Sequence, residues 1–520
     1  MALTGSDAGA AQRSAPERPS AGVARRAGLG WTVLIAVAGG LALAAAFPPA
    51  GIWPLAAAGP ALLVVALWRR SLRGSFLAGL AFGIAFFLPL LSWLVNVAWY
   101  AWVALAVVEA LIFGLLAVGQ RLLLGLRAWP LAVAGWWVAA EAMRGRWPYA
   151  FPWGRLAMSQ GGAPTAGWAA VGGAPLLTFL VALAGAALAW LLVRRRAVPL
   201  LAAAGAAGLA WAGAVLPVDQ PTAAPQATVA AVQGNVPHAR TLANALRATM
   251  VTANHAAATK GLATQVRAGR RAAPDLVIWP ENSTDLDPAL YPPIYATIAR
   301  AVSAIDRPVL VGSVLENPLR NAGQLWLPRR GPVEVYVKRQ LVPFGEYIPL
   351  RSVLEKFTSL PSLQPVNFTP GHRAVVFHAG KARLGDVICY EVGFDHLVSS
   401  EVNAGANLLT VQSNDADFEL DGQTSESAQQ LAMARIRAVE SDRAVVYAST
   451  TGESAIIAPD GTVIARSGIW RRAVLEARVP LRSQLTLADR AGSWPETTIT
   501  ALTLAALAWA VIRARRSRAG

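Results

Sequence analysis

Residues 384–394 read LGDVICYEVGF, and how this stretch is read decides the fold of the second half of the chain. Residues 383–388 form a short run with strand character, and the chain then passes directly into Cys389, Tyr390 and Glu391. Cys389 is the only cysteine in 520 residues. A single cysteine cannot form a disulfide within its own chain, which leaves two uses for it. It is either a small buried hydrophobe or a nucleophile, and its surroundings decide between them.

Working outward from this run, short apolar segments alternate with helical ones between about 217 and 490. Strands are expected at 227–233, 275–279, 308–314, 333–337, 383–388, 406–412 and 443–448. A hairpin is expected at 454–458 and 462–466, around Pro459-Asp460-Gly461. Helices are expected at 240–268, 287–304 and 425–441, the last with Ala428, Leu431, Ala432, Ile436 and Val439 at helical spacing. Such alternation predicts a layered α/β domain.

Three of the strands lead into a chemically pointed residue. DLVIWPEN carries Glu281, VEVYVKRQ carries Lys338, and LGDVICYE carries Cys389. Active sites collect at strand ends, where the sheet fixes positions and the loops stay free. A thiol is a weak nucleophile until it loses its proton. A carboxylate can take that proton, and an ammonium can stabilise both the thiolate and a tetrahedral oxyanion. Glu281, Lys338 and Cys389 are thus sufficient for acyl transfer with neither metal nor cofactor. Lys338 is also unusual by type, since Lys260, Lys338, Lys356 and Lys381 are the only lysines in an arginine-rich chain. A compact ammonium is chemically different from a guanidinium fork.

The first 216 residues are of another kind. The chain is 55% hydrophobic with a mean hydropathy of +0.42, too apolar for an ordinary soluble enzyme. Membrane spans are expected near 29–47, 52–68, 76–99, 101–120, 128–143, 165–193 and 197–216, and an eighth near 495–513. Residues 1–28, rich in Ala, Gly, Ser, Pro and Arg, read as a disordered cytoplasmic tail. The net charge of +16 does not indicate nucleic acid, because the arginines cluster at span ends. Arg25/Arg26, Arg69/Arg70/Arg73, Arg121/Arg127, Arg194–Arg196 and the tail from Arg513 all fall on one side if the N-terminus is cytoplasmic. Residues 217–490 then lie outside, and 491–520 hold the last span and a basic cytoplasmic tail. Arg144, Arg146 and Arg155 dissent, and their loop is a candidate for binding headgroup phosphate.

The order Glu, Lys, Cys, set in WPE, VKRQLVPFGEYIP and CYE, resembles the nitrilase superfamily. Joined to a multi-span region, it is similar to the bacterial apolipoprotein N-acyltransferase family. Further matches are VQGNVP (232–237), WPEN (279–282), FTPG (368–371), QSND (412–415), AMARIRAVE (432–440), WWVAAEAMR (136–144) and FPWGRLAMSQ (151–160). The resemblance implies an α-helical membrane bundle of about eight spans plus an extracytoplasmic αββα sandwich. It implies Glu281 as general base, Lys338 as the cation beside the oxyanion, and Cys389 as nucleophile. Glu346, Tyr390, Glu391 and Asn414 are the expected supporting residues. Glu346 also reads as a salt-bridged loop residue, and Glu391 as an acid at a helix start. Trp153, Arg155, Asp417 and Phe418 are candidates for substrate binding, Asp417 departing from the aromatic residue usual at its position in Gram-negative members.

The expected partners are the bilayer, a phospholipid acyl donor and diacylglyceryl apolipoproteins as acceptors. Two alternatives share these residues. One is a membrane-tethered amidase acting on a soluble amide. The other is a non-enzymatic scaffold for a glycosyltransferase, which an intact Glu-Lys-Cys set argues against.

Overall fold

Eight helices occupy the expected places: Leu29–Ala46, Leu55–Leu67, Leu72–Leu90, Trp99–Leu123, Trp129–Arg144, Ala169–Arg194, Ala197–Trp211 and Trp494–Ala519. The computed structural model describes residues 28–194, 197–216, 224–237, 244–356, 364–419 and 425–519. The expected tail at 1–28 therefore lies, but for Gly28, outside the described residues. Six of the helical segments are long and apolar enough to cross a bilayer. Leu55–Leu67, with 13 residues, rises only about 20 Å against a hydrocarbon core of about 30 Å. Trp129–Arg144, with 16 residues, is likewise short, so the expected count of eight full spans is not confirmed.

Small residues set how closely these helices pack, as expected where lipid removes the hydrophobic drive between spans. A Cβ on Gly40 would fall 2.3 Å from the Phe82 carbonyl oxygen, and one on Gly79 would fall 2.5 Å from that of Phe113. Charge inside the bundle is paired: Arg144 donates to Glu109 at 2.5 Å and to the Trp153 carbonyl at 2.7 Å.

The α/β part has two six-stranded sheets. We number the strands β1 (Gln226–Gln233), β2 (Leu276–Ile278), β3 (Val309–Leu315), β4 (Arg320–Leu327), β5 (Gly331–Val337), β6 (Val376–Ala379), β7 (Ala382–Ile388), β8 (Leu408–Ser413), β9 (Val445–Ser449), β10 (Ala455–Ile457), β11 (Val463–Arg466) and β12 (Ala473–Pro480). Their orders are β12-β1-β2-β3-β4-β5 and β11-β10-β9-β8-β7-β6. Each sheet has a parallel trio, β1-β2-β3 or β7-β8-β9, flanked by antiparallel strands. Every expected strand is present; β4, β6 and β12 are additional.

The sheets pack face to face through Val229, Ile278, Leu310, Phe377, Leu384, Ile388, Val446 and Ile456. Helices Asn244–Arg267 and Pro292–Ile305 cover the outer face of the first sheet. Helices Asp395–Asn403 and Glu426–Ser441 cover the second. The layering is αββα, as the resemblance implied. The apolar core under the second helix layer runs on without a break into the membrane bundle, joining Leu431, Met433 and Tyr447 to Phe86, Trp93 and Trp153. The α/β half is therefore seated on the spans rather than tethered to them.

Candidate active site

The strand ends bring the three expected residues into one buried region. β4 and β5 pair so that the Lys338 N–H donates to the Asn321 carbonyl at 2.9 Å, one step beyond Ala322 opposite Val337. This ladder sets both side chains toward Glu281, three residues past β2. Lys338 Nζ donates to Glu281 Oε1 and to Glu346 Oε1, each at 3.0 Å. The Asn321 amide donates to the same two oxygens at 2.7 and 2.8 Å. Glu281 Oε2 accepts from the Asn414 backbone N–H at 2.9 Å, and Glu346 Oε2 from that of Val342 at 2.7 Å. Two carboxylates, one ammonium and one amide thus form a closed network, with Lys338 only 1% exposed.

Burial works against the Lys338 ammonium, but the Glu281 and Glu346 carboxylates outweigh it and hold its pKa well above the ordinary lysine value. Burial raises the Glu281 carboxyl; Lys338 offsets part of this, and Glu346 adds to the rise. A raised carboxyl is a better match to a thiol as proton acceptor.

Cys389 follows β7 at φ +53°, in the left-handed region, which non-glycine residues adopt only when the surroundings hold them there. What holds it is Glu391. Its carboxylate accepts from the Ile388 N–H at 2.8 Å, the Tyr336 hydroxyl at 2.8 Å, the Arg339 N–H at 2.6 Å and the Gln340 N–H at 3.1 Å. Glu391 therefore ties the turn bearing Cys389 to the strand end bearing Lys338. Burial, and next the charge of Glu281, push the thiol well above its usual range, with Lys338 acting the other way.

Sequence reasoning missed Asn321 and Gln430. Asn321 lies on β4, a strand the local pattern does not reveal. Gln430 donates to Cys389 Sγ at 3.4 Å from the helix Glu426–Ser441. The available signal was a polar residue within the apolar pattern of a predicted helix.

Two family profiles match the chain. The one described as "Apolipoprotein N-acyltransferase N-terminal domain" covers residues 39–187, and "Carbon-nitrogen hydrolase" covers 228–484. The apolipoprotein N-acyltransferase of Mycolicibacterium smegmatis is 38% identical over 493 residues, spanning 88% of this chain and 81% of that one. The chain belongs to the apolipoprotein N-acyltransferase family. Its namesake from Azotobacter vinelandii is 31% identical over 524 residues, spanning 94% of this chain and 96% of that one. Among solved structures, an amidase from Nesterenkonia sp. is similar at 17% identity and a TM-score of 0.37, over 52% of this chain and 95% of that one.

In this member of the apolipoprotein N-acyltransferase family, the remaining candidates sit at the seam between sandwich and spans. The Tyr390 hydroxyl donates to the Ala150 carbonyl at 2.8 Å, and its ring stacks on Trp153 with centroids 6.0 Å apart. Trp153 in turn donates to Gln429 Oε1 at 2.7 Å and lies 5.8 Å from Trp93. Phe418 meets Trp93 edge-on at 5.1 Å, and its carbonyl accepts from Asn96 at 2.7 Å. Asp417 is exposed and pairs with Arg247 at 3.8 Å.

Arg155 lies deeper than a loop arginine at a membrane surface. It is buried, held by Asp395 at 2.6 and 2.9 Å and within 3.6 Å of Glu141. Arg144 is buried too, on Glu109. Of the three dissenting arginines only Arg146 keeps an exposed side chain, paired with Glu496 at 2.5 Å.

Proposed function

We propose that this chain moves a fatty acyl group from a phospholipid, through a thioester on Cys389, to the α-amino group of an apolipoprotein's N-terminal diacylglyceryl-cysteine. Glu281 takes the thiol proton as sulfur attacks the ester carbonyl carbon. Lys338 stabilises the oxyanion, the C–O bond breaks, and the lysophospholipid leaves with the proton from Glu281. The amine then attacks the thioester carbonyl, the C–S bond breaks, and sulfur regains a proton. In this reading residues 217–490 are the extracytoplasmic catalytic domain. Residues 29–216 and the last span hold it at the membrane.

The supporting observation is the seating of the nucleophile's turn on the spans. Tyr390 locks onto Ala150 and Trp153, while Gln429, next to Gln430 on the sulfur, donates to the carbonyls of Leu90 at 3.0 Å and Pro48 at 3.2 Å. An amidase acting on a soluble amide gains nothing from such a joint. An apolar groove of about 520 Å³ between helices Leu29–Ala46 and Leu72–Leu90 is lined by Leu41, Leu77, Ile84, Leu88 and Pro89, the last of them the residue before Leu90. A donor acyl chain suits it. Nothing supports a glycosyltransferase partner.

Purified protein given phospholipid labelled in its acyl chain should gain that chain's mass on the Cys389 peptide, and lose it to added diacylated lipopeptide. Failure to label, together with hydrolysis of a short soluble amide, would replace this reading with the amidase. Arginine placement further puts both termini in the cytoplasm. Reporter fusions after residues 75, 195 and 518 should read cytoplasmic and one near 300 exported; a cytoplasmic signal at 300 would remove the proposed substrates.

A further inference from the structure

A second group of polar side chains reaches Cys389 through Gln430. The Gln430 amide donates to Sγ at 3.4 Å and also to Glu426 Oε1. Its oxygen lies 3.2 Å from the Ser413 hydroxyl, which also points at Asp415 Oδ1, 2.7 Å away. Ser413 has one proton for these two acceptors. Asp415 Oδ2 accepts from Ser449, and Glu419 accepts from Ser427 through its N–H at 2.8 Å and its hydroxyl at 3.0 Å. Glu426 is 1% exposed, and Asp415, Ser413 and Gln430 are fully buried.

The group lacks positive charge. Among the described residues no lysine, arginine or histidine pairs with Glu426, Asp415 or Glu419, whereas Glu346 has Lys338, Glu401 has Arg339, and Asp395 and Glu440 have Arg437. Glu426 Oε2 meets no donor, and the group beside it is the Asp415 carboxyl. Two buried acceptors face to face call for a proton or a cation between them. The Tyr447 hydroxyl, also fully buried, lies beside Ser413 and faces the same acids.

We propose that Glu426, set against Asp415 and reaching Cys389 through Gln430, binds the ammonium of the amine acceptor and takes its proton, giving the second half-reaction its own base. This rests on the two-step reading above. The acceptor's α-amino group has an ordinary pKa near 8, so at neutral pH it arrives largely as an ammonium with no lone pair for attack. The proton that Glu426 and Asp415 share leaves to water as the ammonium takes its place, and Glu426 then removes one proton from nitrogen, leaving a neutral amine beside the thioester. Nitrogen then bonds to the carbonyl carbon, the C–S bond breaks, and the second nitrogen proton passes through Glu281 to sulfur. The proton Glu426 has taken restores the one the resting pair shares. Burial, then Asp415, hold the Glu426 carboxyl well above the ordinary carboxylate range, and burial lifts Glu419 to about 7. The titratable groups facing Glu426 are Asp415, Glu419, Tyr447 and Cys389, and none of them is a cation.

Glu426→Gln keeps the shape and a polar contact to Gln430 but cannot take a proton. Three rates test it: thioester formation from phospholipid, discharge by diacylated lipopeptide at pH 6.5, 7.5 and 9, and discharge by hydroxylamine, which is uncharged at neutral pH. Thioester formation and hydroxylamine discharge should match the unsubstituted protein. Lipopeptide discharge should be slower by about 30-fold at pH 6.5 and about fourfold at pH 7.5, the inverse of the neutral fraction of an amine with pKa near 8, with the defect gone at pH 9, where the amine has lost its own proton. Slower thioester formation, an equal loss with hydroxylamine and lipopeptide, or no loss at all would overturn the proposal; the first two would leave Glu426 as a prop for Gln430. If Glu426→Gln does not fold, Asp415→Asn carries the same three measurements. Absence of a thioester in the unsubstituted protein would instead sink the two-step reading.

Discussion

Cys389→Ser should insert and fold normally yet lose acyl transfer by a factor of roughly 10⁴–10⁶, the scale seen when a covalent nucleophile is removed. Oxygen replaces sulfur at nearly the same volume, the turn keeps its φ of +53°, and the Gln430 amide still has an acceptor to meet. Glu391 continues to hold the turn through Ile388, Arg339 and Gln340. What changes is acidity. Burial already pushes the thiol up, and Glu281 can accept its proton only because a thiol starts within reach of a raised carboxyl. An alkyl hydroxyl starts many units higher, where one carboxylate cannot ionise it. An unchanged thermal unfolding midpoint with no acyl mass on residue 389 is the expected pair of results. Lipopeptide acylation by the serine variant near the ordinary rate would remove Cys389 as nucleophile.

The parts of this site that were legible in the sequence are those where chemistry and local pattern coincide. β2, β5 and β7 are compact runs ending in Glu281, Lys338 and Cys389, so strand and reactive residue announce each other. Asn321 sits on β4, whose sequence RNAGQLWL neither alternates nor runs apolar. Both faces of β4 are covered, and its Gly323 is needed because a Cβ there would fall 2.3 Å from Asp386 Oδ2 on the facing sheet. That requirement comes from the other sheet, so no window around β4 contains it. β12 is hidden in the same way, since its partner β1 lies some 240 residues earlier. Arg155 is the complementary case. Sequence shows a charge near a membrane surface but not Asp395, its partner 240 residues on. Glu391 was open between a helix-start acid and a site residue, and the convergence of three backbone N–H groups and Tyr336 on its carboxylate is a contact set that no local window contains.

Lys338→Arg should preserve the charge, and with it the fold, while slowing thioester formation by roughly 10²–10³, the cost of losing one well-placed oxyanion donor. An ammonium has three N–H donors. At Lys338 two of them go to Glu281 Oε1 and Glu346 Oε1, each at 3.0 Å, and the third is left for the oxyanion. A guanidinium presents its donors in one rigid plane on a longer stem. It can bind the two carboxylates or aim at the oxyanion, but not both from one point. Fitting it into a position only 1% exposed also displaces Glu281 from the Asn321 amide at 2.7 Å and the Asn414 N–H at 2.9 Å, the contacts that aim the base. Lys338→Met would be a poorer test, because two buried carboxylates left without their cation cost about 3–5 kcal/mol, and a folding defect would mask the chemical one. Mass spectrometry after phospholipid alone, before any lipopeptide is added, isolates the step in question. A slow thioester followed by transfer at the ordinary rate places the lysine on the first oxyanion. A thioester formed at the ordinary rate in Lys338→Arg would mean that charge alone is required there, with the oxyanion stabilised by some other donor.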